Sequence, residues 1–194
     1  MLHFPRLTLA SQSPRRKYLL TEAGFSFQTL HVEVNEDYPA VLEAHQIAGF
    51  LAQKKSSQVA WQDDFNILVT ADTIVSLDGL ILHKPKDAEE ANKTLTQLSG
   101  KTHDVYTGVC IRNAHTQHVF TEKTRVTFKY LKPDFIEMYI NQCAPFDKAG
   151  AYGVQDLMGY LGVKSIEGCF YNVMGFPVSA FYDHLSWFVN KQGL

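Results

Sequence analysis

A group of cations follows a short apolar segment near the start of the chain. Leu7–Ala10 has the apolar character of a buried strand, and a serine-rich turn then interrupts it. Ser13 before Pro14 is typical of a helix start, because serine caps free N–H groups and proline suits the first turn. Residues 15–17 (Arg-Arg-Lys) fall in that turn, at the helix pole that prefers anions. The arrangement predicts a phosphate site, and a solvated basic turn is the alternative.

A carboxylate interrupts the most strand-like segment of the chain. Ile67–Val75 is apolar at both ends, which favours a central position in a sheet, and Asp72 lies in its middle. Burying a carboxylate costs free energy unless it is paired, hydrogen-bonded or bound to a metal. Asp72 is therefore the strongest functional candidate that the residues alone supply.

Two further charged groups precede that strand. The segment 41–59 carries a helical apolar stripe, and Lys55 continues it four residues after Leu51. A lysine there either extends to solvent or reaches a buried anion, and both interpretations remain open. Glu36 lies in an acidic segment before this helix, where a plain acidic loop is the alternative to a functional carboxylate.

The rest of the chain alternates between strand and helix patterns. Asp78-Gly79 is typical of a hairpin turn, and Asp87 of a helix cap. The alternation predicts an α/β fold with a mixed central sheet flanked by helices, in one domain over residues 1–194; whether a cleft divides it into two lobes is left open. The other expected strands are Phe25–His31, Leu80–Leu82, Val105–Arg112, Val119–Tyr130 and Ile166–Met174, and the other expected helices follow Asp87, run from Pro133 to Gln142 and begin at Pro177.

Two motif-like patterns are better explained by structure. Ser-Gly-Lys-Thr at 99–102 looks like the end of a phosphate-binding P-loop, but Leu95 stands where the first glycine belongs. The segment ends a helix, so Gly100 is interpreted as the helix stop. His115 and His118 fall in the polar connection between two strands and are expected to be surface loop residues, not a metal pair.

Composition excludes several classes of protein. The 194 residues are 45% hydrophobic and carry a formal net charge of −2, which argues against general binding of DNA, RNA or a membrane surface. The three cysteines are scattered, which favours reduced thiols over a disulfide frame or zinc site. Without an apolar leader or a run of about 18 apolar residues, the chain is expected to be a cytoplasmic protein.

Eight segments in order resemble the Maf family of nucleoside triphosphate pyrophosphatases, also called septum-formation inhibitor proteins. They are LASQSPRRKYLL, VNED, LAQKK, TADTIV, HKPKD, LSGKTHDVYTGV, DKAGAYGVQD and NVMGFPVS. Their order and spacing extend over nearly the whole chain. The resemblance implies a Maf/ITPase-like fold and a homodimer. The aromatic residues of the last helix offer a dimer face, although they fit the core equally well.

Within the family, the sequence is similar to the branch that hydrolyses dTTP and UTP. The two arginines after Pro14, Thr73 after Asp72, and Gln155 in the DKAGAYG segment distinguish it from the branch that acts on 7-methyl-GTP. The resemblance implies release of pyrophosphate from dTTP or UTP, with CTP and modified pyrimidine nucleotides as further substrates to consider. The implied role is removal of unwanted nucleotides from the pool, with a link to cell division.

Residue chemistry and the resemblance together assign roles. The cations suit a triphosphate, and hard carboxylate oxygens suit Mg²⁺ or Mn²⁺, which also lowers the pKa of bound water. Asp72 is assigned as general base, although this role and metal binding are not separated by sequence. The expected catalytic residues are Asp72, Lys55 and Glu36, the expected metal ligands are Glu36 and Asp72, and the expected substrate-binding residues are Ser11, Arg15, Arg16, Lys84, Thr73 and Gln155.

Two positions depart from the family pattern. Asn35 stands where relatives often carry an acid, which leaves Glu36 as the functional carboxylate of that turn, and Asp156 follows Gln155 where relatives often have a small residue. A competing hypothesis is a nucleotide-sensing or partner-binding regulator of cell division that does not turn its ligand over. Retention of Glu36, Lys55 and Asp72 together favours the enzyme.

Overall fold

The structure is a computed structural model that describes residues 4–62 and 67–193. The strands are β1 (Leu7–Ala10), β2 (Phe27–Leu30), β3 (Ile67–Leu77), β4 (Leu80–Leu82), β5 (Thr102–Arg112), β6 (Gln117–Phe128) and β7 (Val163–Glu167). The α-helices are α1 (Pro14–Glu22), α2 (Ala44–Gln58), α3 (Ala88–Leu98), α4 (Pro133–Cys143), α5 (Phe170–Met174) and α6 (Val178–Gln192). Two short 3₁₀ turns (Pro145–Asp147 and Ala149–Ala151) and a π-helical turn (Met158–Gly162) lie between α4 and β7.

The strands form a mixed sheet in the order β2-β1-β3-β5-β6-β7, with β4 paired to β3. Strand β1 runs parallel to β2 and β3, and the remaining pairs are antiparallel. The pairing of β1 with β3 ends at Val69, whereas β3 continues past Asp72 beside β5. The middle of β3 is therefore free of a strand neighbour on the β1 side, and this leaves room for a site beside Asp72.

Helices cover both faces of the sheet, as the sequence predicted. Ile74 and Tyr106 face α2 and form a small apolar cluster with it. Their neighbours Val75 and Val105 face the other side, because successive side chains of a strand alternate between faces. That side carries the main core, in which side chains of α1, α3, α4 and α6 pack together. The mixed α/β class is confirmed.

Helix α2 and strand β5 approach each other closely at a glycine. A Cβ atom added to Gly108 would lie 2.2 Å from the carbonyl carbon and oxygen of Ala48 and 2.3 Å from the backbone nitrogen of Gly49. Gly108 is also the β5 partner of Asp72 in the ladder between β3 and β5. The absent side chain therefore lets α2 lie directly over the part of the sheet that holds Asp72.

Several local predictions are confirmed. The Ser13 hydroxyl accepts a hydrogen bond from the backbone N–H of Arg16 and caps α1. Asp78 and Gly79 have φ angles of 51° and 83°, as required by a tight hairpin between β3 and β4. Gly100, with φ of 71°, follows the end of α3.

Two local predictions are wrong. The segment from Ile166 to Met174 is not one interrupted strand, because β7 ends at Glu167 and α5 begins at Phe170, after Gly168 turns the chain with φ of 118°. His118 is not a loop residue either. It lies in β6, and its Nε2 atom is 2.9 Å from Nδ1 of His184 on α6.

Across the described ranges, none of the helices combines the length and the apolar character that crossing a membrane requires.

Candidate active site

The nine residues assigned to catalysis or substrate binding all line one cavity of about 530 Å³. Chain segments distant in sequence bring them there. The end of β1 and the first turn of α1 supply Ser11, Arg15 and Arg16, and β3 supplies Asp72 and Thr73. The others are Glu36 from the loop after β2, Lys55 from α2, Lys84 from the loop after β4, and Gln155 from the segment after the second 3₁₀ turn.

Lys55 joins the two carboxylates of the cavity. Its Nζ atom donates to Oδ1 of Asp72 and to Oε1 of Glu36, the latter at 2.8 Å. The side chains of Lys55 and Asp72 are only 16% and 9% exposed. Lysine 55 therefore reaches a buried anion and does not extend to solvent, which decides between the two interpretations of the sequence.

Three cations of the cavity lower the pKa of Glu36. Its half-burial acts to raise the pKa, but the hydrogen bond from Lys55 and the charges of Lys55, Lys84 and Arg16 outweigh this and lower it. The Nζ atom of Lys84 is 3.8 Å from Oε2 of Glu36. The carboxylate is thus kept ionised, as a ligand for a cation requires.

Arg16 connects three parts of the chain at the floor of the cavity. Its Nε donates to the carbonyl of Gly175 at 2.9 Å, its Nη1 to the Ser11 hydroxyl at 3.4 Å and its Nη2 to the Thr73 hydroxyl at 3.1 Å. Burial lowers the pKa of the guanidinium, an effect opposed by the charges of Asp72 and Glu36. Arg16 therefore holds the cavity together as well as adding a positive charge to it.

A second ion-pair group, which sequence reasoning missed, lies at the cavity wall. Nη1 of Arg15 is 2.7 Å from Oδ2 of Asp147, and Nζ of Lys148 is 2.7 Å from Oδ1 of the same carboxylate. The Lys148 side chain is only 13% exposed. Burial acts to raise the pKa of Asp147, but Lys148 and Arg15 outweigh it and lower the value. The adjacent acid and base before Gly150 are a local signal of this group, but Arg15 lies 132 positions away from Asp147 in the chain.

Gln155 carries an unpaired acceptor. Its Oε1 atom is buried and has no hydrogen-bond partner among residues 4–62 and 67–193. A buried acceptor without a donor is costly, and a ligand donor would remove that cost. A molecule with an N–H or O–H group at this edge of the cavity would satisfy the atom.

Tyr152 completes this edge of the cavity. Its hydroxyl is 2.7 Å from Nε2 of His103, a side chain that is 2% exposed. Burial lowers the pKa of His103 to about 4, despite the opposing charge of Asp104. His103 is accordingly a neutral imidazole at physiological pH, and it holds Tyr152 in place.

The residues present fit a divalent cation shared with substrate. Glu36 and Asp72 supply hard oxygen donors that meet at the same lysine. Within the described ranges there is no group of three or more His, Cys, Asp and Glu side chains that would hold a metal alone. Mg²⁺ typically binds through one or two carboxylates and completes its coordination with water and phosphate oxygens, which matches this pair.

The chain is similar to a known family and to several known proteins. The family model described as Maf-like protein matches residues 6–188. The dTTP/UTP pyrophosphatase of Porphyromonas gingivalis W83 is 43% identical over 187 residues, which cover 94% of each chain. That of Bacteroides thetaiotaomicron is 44% identical over 183 residues, covering 93% of this chain and 94% of the relative.

Solved structures show a slighter likeness. The Ham1 protein of Staphylococcus aureus has 13% identity and a TM-score of 0.40, with 64% of this chain and 72% of that chain covered. A HAM1 protein from Coxiella burnetii has 14% identity and a TM-score of 0.36, with 64% and 73% covered. Likeness at this level distinguishes neither fold nor activity.

Proposed function

The chain belongs to the Maf family, and we propose that it hydrolyses dTTP and UTP to the monophosphate and pyrophosphate, removing these nucleotides from the cellular pool. Relatives that are 43–44% identical over nearly the full chain are dTTP/UTP pyrophosphatases. The observation that carries the proposal is the contact of the largely buried Lys55 with the buried Asp72 and the half-buried Glu36, in a cavity walled by further cations. The extent of the family match, residues 6–188, also favours one domain.

The cations of the cavity suit a triphosphate. Cleavage between the α- and β-phosphates requires screening of about four negative charges and a water molecule in line with the bond that breaks. Arg15 offers a forked donor, while Lys84 and Lys148 offer point charges from other directions. Ser11 and the start of α1 provide hydrogen-bond donors to the same oxygens.

Asp72 is the group that we assign to accept the proton of the attacking water. The ammonium of Lys55 pairs with this carboxylate and orients it in an otherwise costly buried position. Glu36 and Asp72 would hold Mg²⁺ or Mn²⁺, which supplies charge neutralisation and a more acidic water when bound. Lys55 orients both carboxylates before substrate arrives.

Gln155 is the group that we assign to the base. Its unpaired Oε1 suits the N3–H donor of uracil or thymine, and its amide N–H groups suit the O4 acceptor next to it. Gln155→Glu keeps the side-chain length but loses the donor. We expect it to lower kcat/KM for dTTP and UTP at least tenfold with little change in folding. An unchanged nucleotide preference would contradict this assignment.

The deciding experiment measures pyrophosphate release from dTTP, UTP, CTP and 7-methyl-GTP in the presence of Mg²⁺ or Mn²⁺. We expect turnover of dTTP and UTP that is lost in Asp72→Asn and on removal of the metal by chelation. Tight nucleotide binding without turnover of any of the four would instead support the nucleotide-sensing regulator.

We further propose a homodimer in the cytoplasm. On α6, Phe181 and Phe188 are buried in the core, whereas Tyr182 and Trp187 are 43% and 47% exposed and remain available for a second copy. Light scattering of the purified protein, with Trp187→Ser as the variant, tests this. A monomer at micromolar concentration would contradict it.

A further inference from the structure

The loop that carries Gln155 is tied to helix α4 by one buried hydroxyl group. Tyr139 of α4 is fully buried, and its hydroxyl donates to Oδ2 of Asp156 at 3.1 Å. The same hydroxyl oxygen accepts from the backbone N–H of Gly153 at 3.0 Å. The two bonds therefore hold the chain on both sides of Gln155.

The Asp156 carboxylate extends this connection further along the loop. Its Oδ1 atom accepts from the backbone N–H of Met158 at 3.1 Å. The backbone carbonyl of Asp156 also accepts a hydrogen bond, from the N–H of Gly159 at 2.9 Å. A Cβ atom added to Gly153 would lie 2.4 Å from Oδ2 of Asp156. The carboxylate therefore lies directly against the backbone that precedes Gln155, and the loop has little freedom to move.

Burying the Asp156 carboxylate and the Tyr139 hydroxyl costs free energy. Burial raises the pKa of Asp156, and the Met158 N–H and the Tyr139 hydroxyl act against that rise. Burial also raises the pKa of Tyr139. A hydroxyl inside an apolar core needs a bonding partner, and each partner of this one is in the loop. The network is thus satisfied only while the loop keeps its present path.

A glutamine amide alone does not separate uracil from cytosine. Uracil presents an acceptor at O4 and a donor at N3, whereas cytosine presents a donor amine and an acceptor nitrogen at the same places. Rotation of the Gln155 amide by half a turn would suit cytosine, because the group has an acceptor on one side and donors on the other. Discrimination consequently depends on which amide orientation the surroundings favour, and the backbone position of Gln155 decides what those surroundings are.

We propose that Asp156 and Tyr139 are positioning residues that fix Gln155 and so set the preference for uracil and thymine over cytosine. The proposal rests on the proposed function, because it takes Gln155 as the group that contacts the base. Neither residue lines the cavity, so each acts through the loop and not on the substrate.

The test compares kcat/KM for UTP and CTP, measured by pyrophosphate release, in Tyr139→Phe, Asp156→Ala and Asp156→Asn. We expect the ratio of UTP to CTP to fall at least fivefold in the first two variants, chiefly through a higher KM for UTP. Asp156→Asn should retain more of the preference, since its amide oxygen still accepts one of the two hydrogen bonds.

A matched control separates positioning from general loss of stability. Ile136→Val removes a methyl group from the same helix, at a side chain that is 2% exposed and outside the network. It should lower the melting temperature and leave the ratio unchanged. If Tyr139→Phe does not fold, the comparison of Asp156→Ala with Asp156→Asn answers the same question.

The outcomes distinguish this inference from the proposed function. A ratio unaffected by Tyr139→Phe and Asp156→Ala, with Gln155→Glu still altering it, would overturn the inference and leave the function intact. A native protein that hydrolyses UTP and CTP equally well would also overturn it. Hydrolysis of neither nucleotide by the native protein would overturn both.

Discussion

Replacement of Gly108 by alanine should damage stability and activity together. The added Cβ would meet the Ala48 carbonyl at 2.2 Å and the Gly49 nitrogen at 2.3 Å, whereas ordinary contact begins at 3.4 Å. Both opposing groups are backbone atoms, so no side-chain rotation relieves the overlap. Helix α2 must therefore move away from strand β5.

The size of the effect follows from what α2 carries. Overpacking costs typically 1–3 kcal/mol, and a backbone overlap belongs at the upper end, so we expect the free energy of unfolding to fall by about 3 kcal/mol. Lys55 lies two turns beyond Ala48, and Asp72 is the ladder partner of Gly108. Moving the helix separates these two charges. A shift of about 1 Å can cost about 100-fold in rate, so kcat/KM for dTTP should fall by about that factor.

The assay pairs urea denaturation followed by circular dichroism with pyrophosphate release. Gly49→Ala is the matched control at the same interface, because its Cβ would meet only the Thr121 hydroxyl at 2.9 Å and Val119 at 3.5 Å, both of them side-chain atoms. Alanine also gains about 1 kcal/mol of helix propensity over glycine. Gly49→Ala should therefore stay within about 1 kcal/mol of the native protein. Native stability and activity in Gly108→Ala would refute the reasoning.

Three further predictions concern single ionisable groups. Lys55→Met should abolish turnover and lower the free energy of unfolding by about 3 kcal/mol, because it leaves the buried Asp72 carboxylate unpaired; adding Asp72→Asn should restore stability in urea titrations but not activity. As the pH falls from 7 to 4, the free energy of unfolding should decrease by about 3 kcal/mol because of His103. The histidine of the unfolded chain binds a proton near pH 6.5, whereas the buried, neutral His103 of the folded protein binds one only near pH 4. His103→Gln should flatten that part of the pH dependence in the same titration. Asp147→Asn should strengthen product inhibition by pyrophosphate severalfold, because this carboxylate neutralises two cations of the cavity; an unchanged inhibition constant would contradict the charge argument.

The elements that sequence reasoning predicted are those specified by neighbouring residues. Ser13 caps the helix that follows it, and the hairpin at Gly79 depends on two adjacent positions. The apolar ends of β3 indicated a buried strand, and so indicated that Asp72 needed a partner. These signals lie within a few residues of the feature that they specify, so the sequence expresses them directly.

The features that sequence reasoning missed depend on residues that are distant in the chain. Arg15 and Asp147 are 132 positions apart, so nothing local predicts their ion pair. Tyr139 and Asp156 are 17 positions apart, so nothing local predicts that the Tyr139 hydroxyl is bonded to the loop. Helix α5 is only five residues long and rich in aromatic and β-branched types, which local patterns do not separate from a strand. Residue chemistry alone does not show that the site residues lie together in the fold. The family resemblance implied that they do.

The contact of Arg16 with Gly175 has a consequence for synthesis of the protein. The two residues are 159 positions apart, and the bond between them forms the floor of the cavity. A ribosome synthesises the N-terminal part first, so Arg16 on helix α1 emerges long before Gly175 has been made. A nascent chain therefore carries the arginine fork without the carbonyl that holds it, and a competent pocket arises only after Gly175 has been translated. Premature termination before Gly175 should accordingly yield inactive products, so nucleotide hydrolysis reports on synthesis past this residue.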